Sequence, residues 1–348
     1  MMARLHCLIQ CLHYITIIMV PLVAICRISV EPEVVVAITP PPNLPPITGY
    51  SPPPQMVHSP VPVNGTNAMQ MDATELASLY QVLESLLEGG SKWRVLRLHP
   101  CASAELSGTV SCARAPDGLT HVTRLQIGGS YGGSTITPSC KAAAPAITPL
   151  IADLSHLQAL RVSDCGVVGS IPDSIGRLAG LRSLDLSSNR LTGPIPPGFA
   201  GLRHLRSLNL SLNRLSGSIP PSLGGLSELL KLDVSRNQLI GHVPAELGDL
   251  RKLEYWSMAG NLVAGPLPPS LAGLGSLESF FMDSNSLHGD LPGYMNGRNW
   301  PRLRQLGLSG CDYAGHLPAG LRSLANLTLL DLSNNKLEGG IPPDLEAM

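Results

Sequence analysis

Charge and aromatic rings are in short supply. Only 14% of the 348 residues are Asp, Glu, Lys or Arg, and the formal net charge is −1. Nothing in that balance supplies an electrostatic grip on nucleic acid or on an anionic membrane. Phe, Trp and Tyr make up 4% of the chain, an unusual composition for a compact α/β enzyme. No second apolar run of about 20 residues follows the one at the N-terminus, so no further transmembrane segment is expected. The cysteines show no Cys-x-x-Cys spacing and no paired histidines, which argues against a zinc site among them. The glycine-rich stretch Gly128-Gly-Ser-Tyr-Gly-Gly133 lacks the lysine that a phosphate-binding loop needs. It is read as a flexible insertion. No cofactor is implied.

Glycine (35) and proline (32) are abundant instead, as suits short turns around an aliphatic core. Arg4 and His6 precede the mostly apolar stretch Leu8 to Ile25, with small residues near Ala24 and Cys26. Residues 1–26 are therefore read as a signal peptide. Residues 27–70 are read as a disordered linker, rich in Pro between 31 and 66, whose triplets favour polyproline II. Ordered sequence is expected from residue 71, with a cap over 71–121. Asp72-Ala-Thr-Glu75 reads as a capping box. Leu76, Leu79, Tyr80, Leu83, Leu86 and Leu87 recur at helical spacing, and Gly89-Gly90 ends the helix.

The decisive feature over 122–348 is self-similarity. Asn189, Asn213, Asn237, Asn261 and Asn285 follow one another at intervals of 24. Cys165 precedes this column by 24, and Cys311 and Asn335 continue it at 26 and 24. The phrase Leu181-Arg-Ser-Leu184-Asp-Leu186-Ser-Ser-Asn189-Arg-Leu191-Thr-Gly193-Pro-Ile195-Pro196 returns in each turn. Period-two alternation places Leu184 and Leu186 inside a short strand and Ser183, Asp185 and Ser187 outside. An asparagine can donate and accept, so one per turn can satisfy the neighbouring backbone. Single turns cannot bury their own apolar face, whereas stacked turns share one. Eight turns fit the frame, and a weaker ninth starts at Val122-Thr-Arg-Leu125-Gln-Ile127. Cys165 and Cys311 cannot match the asparagine, so small defects are expected there.

This phrase resembles the plant-specific class of extracellular leucine-rich repeats. The segment Met71-Asp-Ala-Thr-Glu-Leu-Ala-Ser-Leu-Tyr-Gln-Val-Leu-Glu-Ser is similar to receptor-like proteins of the Too Many Mouths type and the related Piriformospora-indica-insensitive proteins. The resemblance implies an α/β solenoid: a right-handed superhelix with a concave parallel β-sheet and a helical, disulfide-bonded N-terminal cap. It implies a Cys101–Cys112 bridge, where Cys112 closes the phrase Gly108-Thr-Val-Ser-Cys112, and suggests a second between Cys140 and Cys165. Cys311 is then left over. It further implies recognition of a protein or peptide, such as a receptor-kinase ectodomain, outside the cell and without catalysis. The chain stops at Met348 partway through a turn, with no terminal cysteine pair, so an incomplete coding sequence or a sticky end is expected.

The ten histidines are scattered. His156 and His204 are equivalent positions in non-adjacent turns, and His242 and His316 share a column three turns apart. With no Ser/His/Asp set or carboxylate pair on adjacent turns, nearly all of them read as solvated surface. Sequons occur at Asn64, Asn209 and Asn326, the second on the concave face. Candidate ligand-binding residues are the outward strand positions that stop being Ser, Asp and Arg: Lys231, Asp233, Tyr255, Ser257, Phe281, Asp283 and Arg304. Exposed aromatics flanked by charges are typical interface anchors. The competing reading turns Phe281 inward beside Phe280. Two alternative functions stand beside a signalling receptor. One is a wall-localised inhibitor of a microbial polysaccharide-degrading enzyme, which a basic concave stripe would favour. The other is the ectodomain fragment of a receptor-like kinase.

Overall fold

The computed structural model describes residues 24–28, 34–38, 70–95, 99–128 and 139–340. Most of the leader, most of the linker with Asn64, residues 129–138 with most of the glycine-rich stretch read as an insertion, and residues 341–348 lie outside the described residues.

The cap helix Ala73–Leu86 starts where expected: the Asp72 side chain accepts the Thr74 and Glu75 amides at 2.9 and 3.0 Å. The second half of the capping box is not made. Glu75 turns into the protein, because a buried partner 46 residues away offers more than the backbone amide of Asp72. Leu79, Val82, Leu83 and Leu86 bury one stripe of the helix. Cys101 and Cys112 form a disulfide across a Cα separation of 5.8 Å, and Cys140 and Cys165 another across 5.3 Å. Cys311 is free and buried.

Each turn adds one strand to a twelve-stranded sheet. From Thr120–Ile127 the strands run in parallel register through Ala159–Val162, Ser183–Asp185, Ser207–Asn209, Lys231–Asp233, Tyr255–Ser257, Ser279–Phe281, Gln305–Gly307 and Leu329–Asp331. The hairpin Ala24–Ile28/Val34–Ile38 pairs alongside Leu329–Asp331. Residues 24–26 fall within the stretch read as a signal peptide, and the rest of the hairpin within the stretch read as a linker. Val34-Val-Val36 is a β-branched run that suits a strand; Ala24–Ile28 extends the sheet beyond Leu329–Asp331, and Val34–Ile38 is its outermost strand.

Leu184, Leu186, Leu208, Leu210, Leu232 and Val234 are all within 1% of full burial. The glycine of the repeat phrase has φ near +80° in Gly193, Gly217 and Gly241, a region in which a Cβ is strained. That turn feeds a second parallel sheet, from Val168–Ser170 to Leu262–Val263. On the convex side most turns make one short 3₁₀ segment, such as Pro197–Gly201 and Pro221–Gly225, entered through Pro196 and Pro220, whereas the turn through 291–300 makes none. The proline ring fixes φ near the helical value at the entry, where the missing N–H would have had no intrahelical partner. In the later turns Trp256, Phe280 and Trp300 replace leucine in the core, with ring centroids 5.3 Å apart in each successive pair. Trp300 donates its Nε1–H to the Leu271 carbonyl at 2.9 Å.

Candidate functional site

The asparagine column determines how rigidly the concave face is held. Asn213 donates from Nδ2 to the carbonyls of Leu186 and Leu210, and Asn237 to those of Leu210 and Val234. Each such carbonyl therefore joins two successive asparagines. Their Oδ1 atoms accept the amides of Leu191 and Leu215 from the preceding turn. At the two cysteine positions this breaks down. The Cys165 sulfur is in a disulfide, and the Cys311 thiol donates weakly to the Met282 carbonyl at 3.3 Å.

Two outward rows run along the concave face. The first reads Ala159, Ser183, Ser207, Lys231, Tyr255, Ser279, Gln305 and Leu329; the second reads Arg161, Asp185, Asn209, Asp233, Ser257, Phe281, Gly307 and Asp331. In four of these eight turns the second row is locked to a serine two residues on. Asp185, Asn209, Asp233 and Asp331 each accept from both the amide and the hydroxyl of Ser187, Ser211, Ser235 and Ser333. Such self-satisfied pairs offer little to a ligand.

That pattern stops for three turns, where Ser257, Phe281 and Gly307 take the row. Phe280 is fully buried while Phe281 is half-buried on the outer face, so the inward alternative for Phe281 does not hold. Tyr255 and Phe281 lie diagonally across adjacent strands, with ring centroids 6.0 Å apart. A Cβ on residue 307 would sit 2.7 Å from the Phe281 ring and 2.5 Å from an Asp283 oxygen. Gly307 is thus the gap into which the ring leans, a residue that sequence reasoning passed over. Lys231 Nζ stands 5.8 Å from the centre of the Tyr255 ring.

Asp283 sits at the position of the locking serines and accepts the Ser309 amide of the next turn at 2.9 Å. Burial, and to a smaller degree the charge of Asp331, raise its pKa above the usual carboxylate range. Burial and the charge of Asp233 raise that of Tyr255. Ser257 departs from expectation: it is only 4% exposed and does not face a ligand. Arg304 is exposed one residue before its strand, at the rim. Asn209 spends its Oδ1 on Ser211, and exposed Asn326 donates to the Pro301 carbonyl at 2.8 Å.

A second cluster, in the cap, was missed. His121 is 6% exposed, contrary to the surface reading of the histidines. Its Nδ1 lies 2.6 Å from Glu75 and its Nε2 2.8 Å from Asp117. Burial alone would lower the pKa of the imidazole; the hydrogen bonds and charges of Asp117 and Glu75 outweigh it and hold it above its ordinary value. The exposed His156 ring stacks on His121 at 3.7 Å. Beyond the cap, a pocket of about 330 Å³ opens beside the Cys140–Cys165 bridge, between Lys141, Asp164 and Arg190.

Comparison with known proteins places this geometry. A family model described as a leucine-rich repeat region matches residues 139–339. Receptor like protein 29 of Arabidopsis thaliana is 32% identical over 95 residues, which is 27% of this chain and 19% of that protein. Among solved structures, the ectodomain of the Arabidopsis thaliana receptor kinase GASSHO1/SCHENGEN3, in complex with CASPARIAN STRIP INTEGRITY FACTOR 2, superposes with a TM-score of 0.68 at 30% identity. That match covers 77% of this chain and 31% of the other. The Arabidopsis receptor kinase HAESA, bound to an IDA peptide hormone, gives 0.60 at 28%, covering 78% and 47%. A plant ice-binding protein gives 0.61 at 26%, covering 78% of this chain and 90% of that one. The scaffold thus serves unlike tasks, and its function is written in the exposed rows. The chain spans less than half of the receptors it matches, yet more than half of its own length falls within the family model: it belongs to the leucine-rich repeat family.

Proposed function

We propose that this chain is an extracellular recognition module of plant signalling or defence that binds a peptide or a partner receptor ectodomain without catalysis. The binding site is the interrupted stretch of the concave face, with Tyr255, Phe281 and Asp283 at its centre, Lys231 and the serine-locked Asp233 on its flank, Arg304 at the rim and Ser257 beneath. The observation that carries this reading is the paired exposure of Tyr255 and Phe281 where neighbouring turns present self-satisfied Asp–Ser pairs. Aromatic anchors next to unlocked charges supply most of the energy of many interfaces. Peptide-bound neighbours among plant receptor ectodomains support the same class of ligand. Two disulfides suit an oxidising compartment, in keeping with secretion behind the proposed leader. The finer likeness to the Too Many Mouths type rests on the cap helix sequence. A wall-localised inhibitor is disfavoured because the second row carries Asp185, Asp233 and Asp331 where a basic stripe would be needed.

The test is a binding screen of the secreted chain against plant receptor-kinase ectodomains and secreted peptides, run with wild type and with Tyr255→Ala/Phe281→Ala. The true partner loses at least tenfold in affinity with the double variant. A partner that binds both equally would remove the site.

A further inference from the structure

The cap cluster joins four metal-capable side chains from separate parts of the chain. Glu75 comes from the first turn of the helix, Asp117 from a turn, His121 from the following strand and His156 from the bend before the next one. Ligand atoms of Glu75, His121 and His156 all lie within 4.8 Å of one another. The sequence hides this, because the three are widely separated and Glu75 reads locally as part of a helix cap.

Each buried member is already oriented. One oxygen of Glu75 is held by the Val122 amide at 2.9 Å, leaving the other to face His121 Nδ1. The opposite nitrogen, Nε2, is held by Asp117. A carboxylate behind a histidine, with the far nitrogen aimed at a second anionic donor, is the arrangement that fixes tautomer and ring orientation in metal sites. Two imidazoles with a carboxylate form the mixed N/O set that suits zinc with one position left for water. The Glu75 carboxylate is 4% exposed and demands a positive counter-charge nearby. That charge can be a proton on His121 or a cation in its place.

We propose that Glu75, His121 and His156 bind a zinc-like divalent transition-metal ion, with Asp117 orienting His121 from behind. Binding releases the proton on His121 Nδ1 to solvent, and the metal takes its place between Nδ1 and Glu75. Zinc bonds of about 2.0–2.2 Å set neighbouring ligand atoms about 3.4 Å apart. The Glu75–His121 pair therefore opens from 2.6 Å by under ~1 Å. His156, being exposed, leaves its stack and turns a nitrogen to the metal. The ion would tie the cap helix to the first two strands of the array.

The experiment uses the full secreted chain, stripped with a chelator and titrated with zinc chloride by calorimetry at neutral pH. Three proteins are compared: wild type, His156→Ala and His204→Ala, the last an exposed histidine at the equivalent position of another turn. Wild type and His204→Ala take up one saturable equivalent. His156→Ala binds at least tenfold more weakly, while its metal-free melting temperature is unchanged. Cobalt(II) gives the visible absorption of a four-coordinate site in wild type, and His156→Ala loses it. Absence of a saturable equivalent, equal affinity in His156→Ala, or equal loss in His204→Ala overturns the site.

Discussion

The asparagine column should be the most sensitive polar feature of the array, and Asn237→Ala measures it. Asn237 is 8% exposed. Its Oδ1 accepts the Leu215 amide at 2.9 Å, and its Nδ2 reaches the carbonyls of Leu210, Val234 and Ser235 at 3.0–3.1 Å. Two of these losses are cushioned. The Leu210 carbonyl keeps its bond from Asn213, and the Val234 carbonyl keeps its bond from Asn261. The Leu215 amide has no such reserve and is left buried and unpaired, at a cost of roughly 1–3 kcal/mol. The shared carbonyl bonds add about 1 kcal/mol, giving a loss of about 2–4 kcal/mol in all. Asn335→Ala should cost less, since that residue is more exposed and ends the column. The Asn213→Ala/Asn237→Ala double variant should lose more than the sum, because the Leu210 carbonyl then has neither partner. Repeat arrays can unfold in pieces, so urea midpoints should be read together with hydrogen exchange at the Leu215 amide. If Asn237→Ala shifts stability by under about 0.5 kcal/mol and Leu215 stays protected, the ladder is not what holds the turns.

Three further outcomes follow. Asp283→Asn should stabilise the chain at neutral pH, because burial and Asp331 disfavour the carboxylate. The sign is set by linkage: with its folded pKa raised, wild type binds the proton more tightly when folded, so its stability falls as pH rises from about 4 through that raised pKa. The gain from Asp283→Asn, followed by urea unfolding across pH, should vanish in acid; a gain independent of pH would contradict the charge argument. Removing the Cys101–Cys112 bridge, which closes a separation of 11 residues, should cost about 3 kcal/mol in the chain-entropy account, seen as a lowered urea midpoint for Cys101→Ala/Cys112→Ala. Gly128→Ala should be poorly secreted or leave free thiols at Cys140 and Cys165, because the added Cβ would lie 1.9 Å from the Ser163 carbonyl and 2.6 Å from the Cys165 sulfur; thiol labelling of the secreted protein checks it.

The array was legible because its physics is periodic. Leucine spacing reports the strand, the glycine reports a positive φ, and asparagine at intervals of 24 reports the ladder. The outward rows were legible for the same reason, which is why Tyr255 and Phe281 stood out. What escaped was non-periodic. Ser257 looks like any outward serine, yet it is buried. Gly307 reads as a missing side chain, although its role is to make room for Phe281. Gly128 reads as loop flexibility but marks a close backbone approach. The Glu75–His121 contact joins residues 46 apart, and a glutamate in the first helical turn looks the same whether it caps the backbone or turns inward. The 3₁₀ convex side was likewise hidden, since proline at each entry announces a turn without naming it.

Cys311 offers the sharpest test of whether hydrogen bonding or mere volume explains the column. It is fully buried at an asparagine position. Its thiol donates to the Met282 carbonyl, the counterpart of the carbonyl that Nδ2 reaches elsewhere. Sulfur is a weak acceptor, so the Leu287 amide, equivalent to Leu215, is offered no oxygen. Cys311→Asn supplies one, along with a second donor. If hydrogen bonding dominates, the variant should gain on the order of 1 kcal/mol and Leu287 should become more slowly exchanging. The added atoms work against it, since overpacking a filled core costs about 1–3 kcal/mol. Cys311→Ala separates the two terms, because it removes volume and adds no bond. Stabilisation by Asn with destabilisation by Ala would show that the turn lacks an acceptor. Destabilisation by both would mean that the two-residue-longer turn after Asn285 has repacked around sulfur, and that the ladder argument stops at that turn.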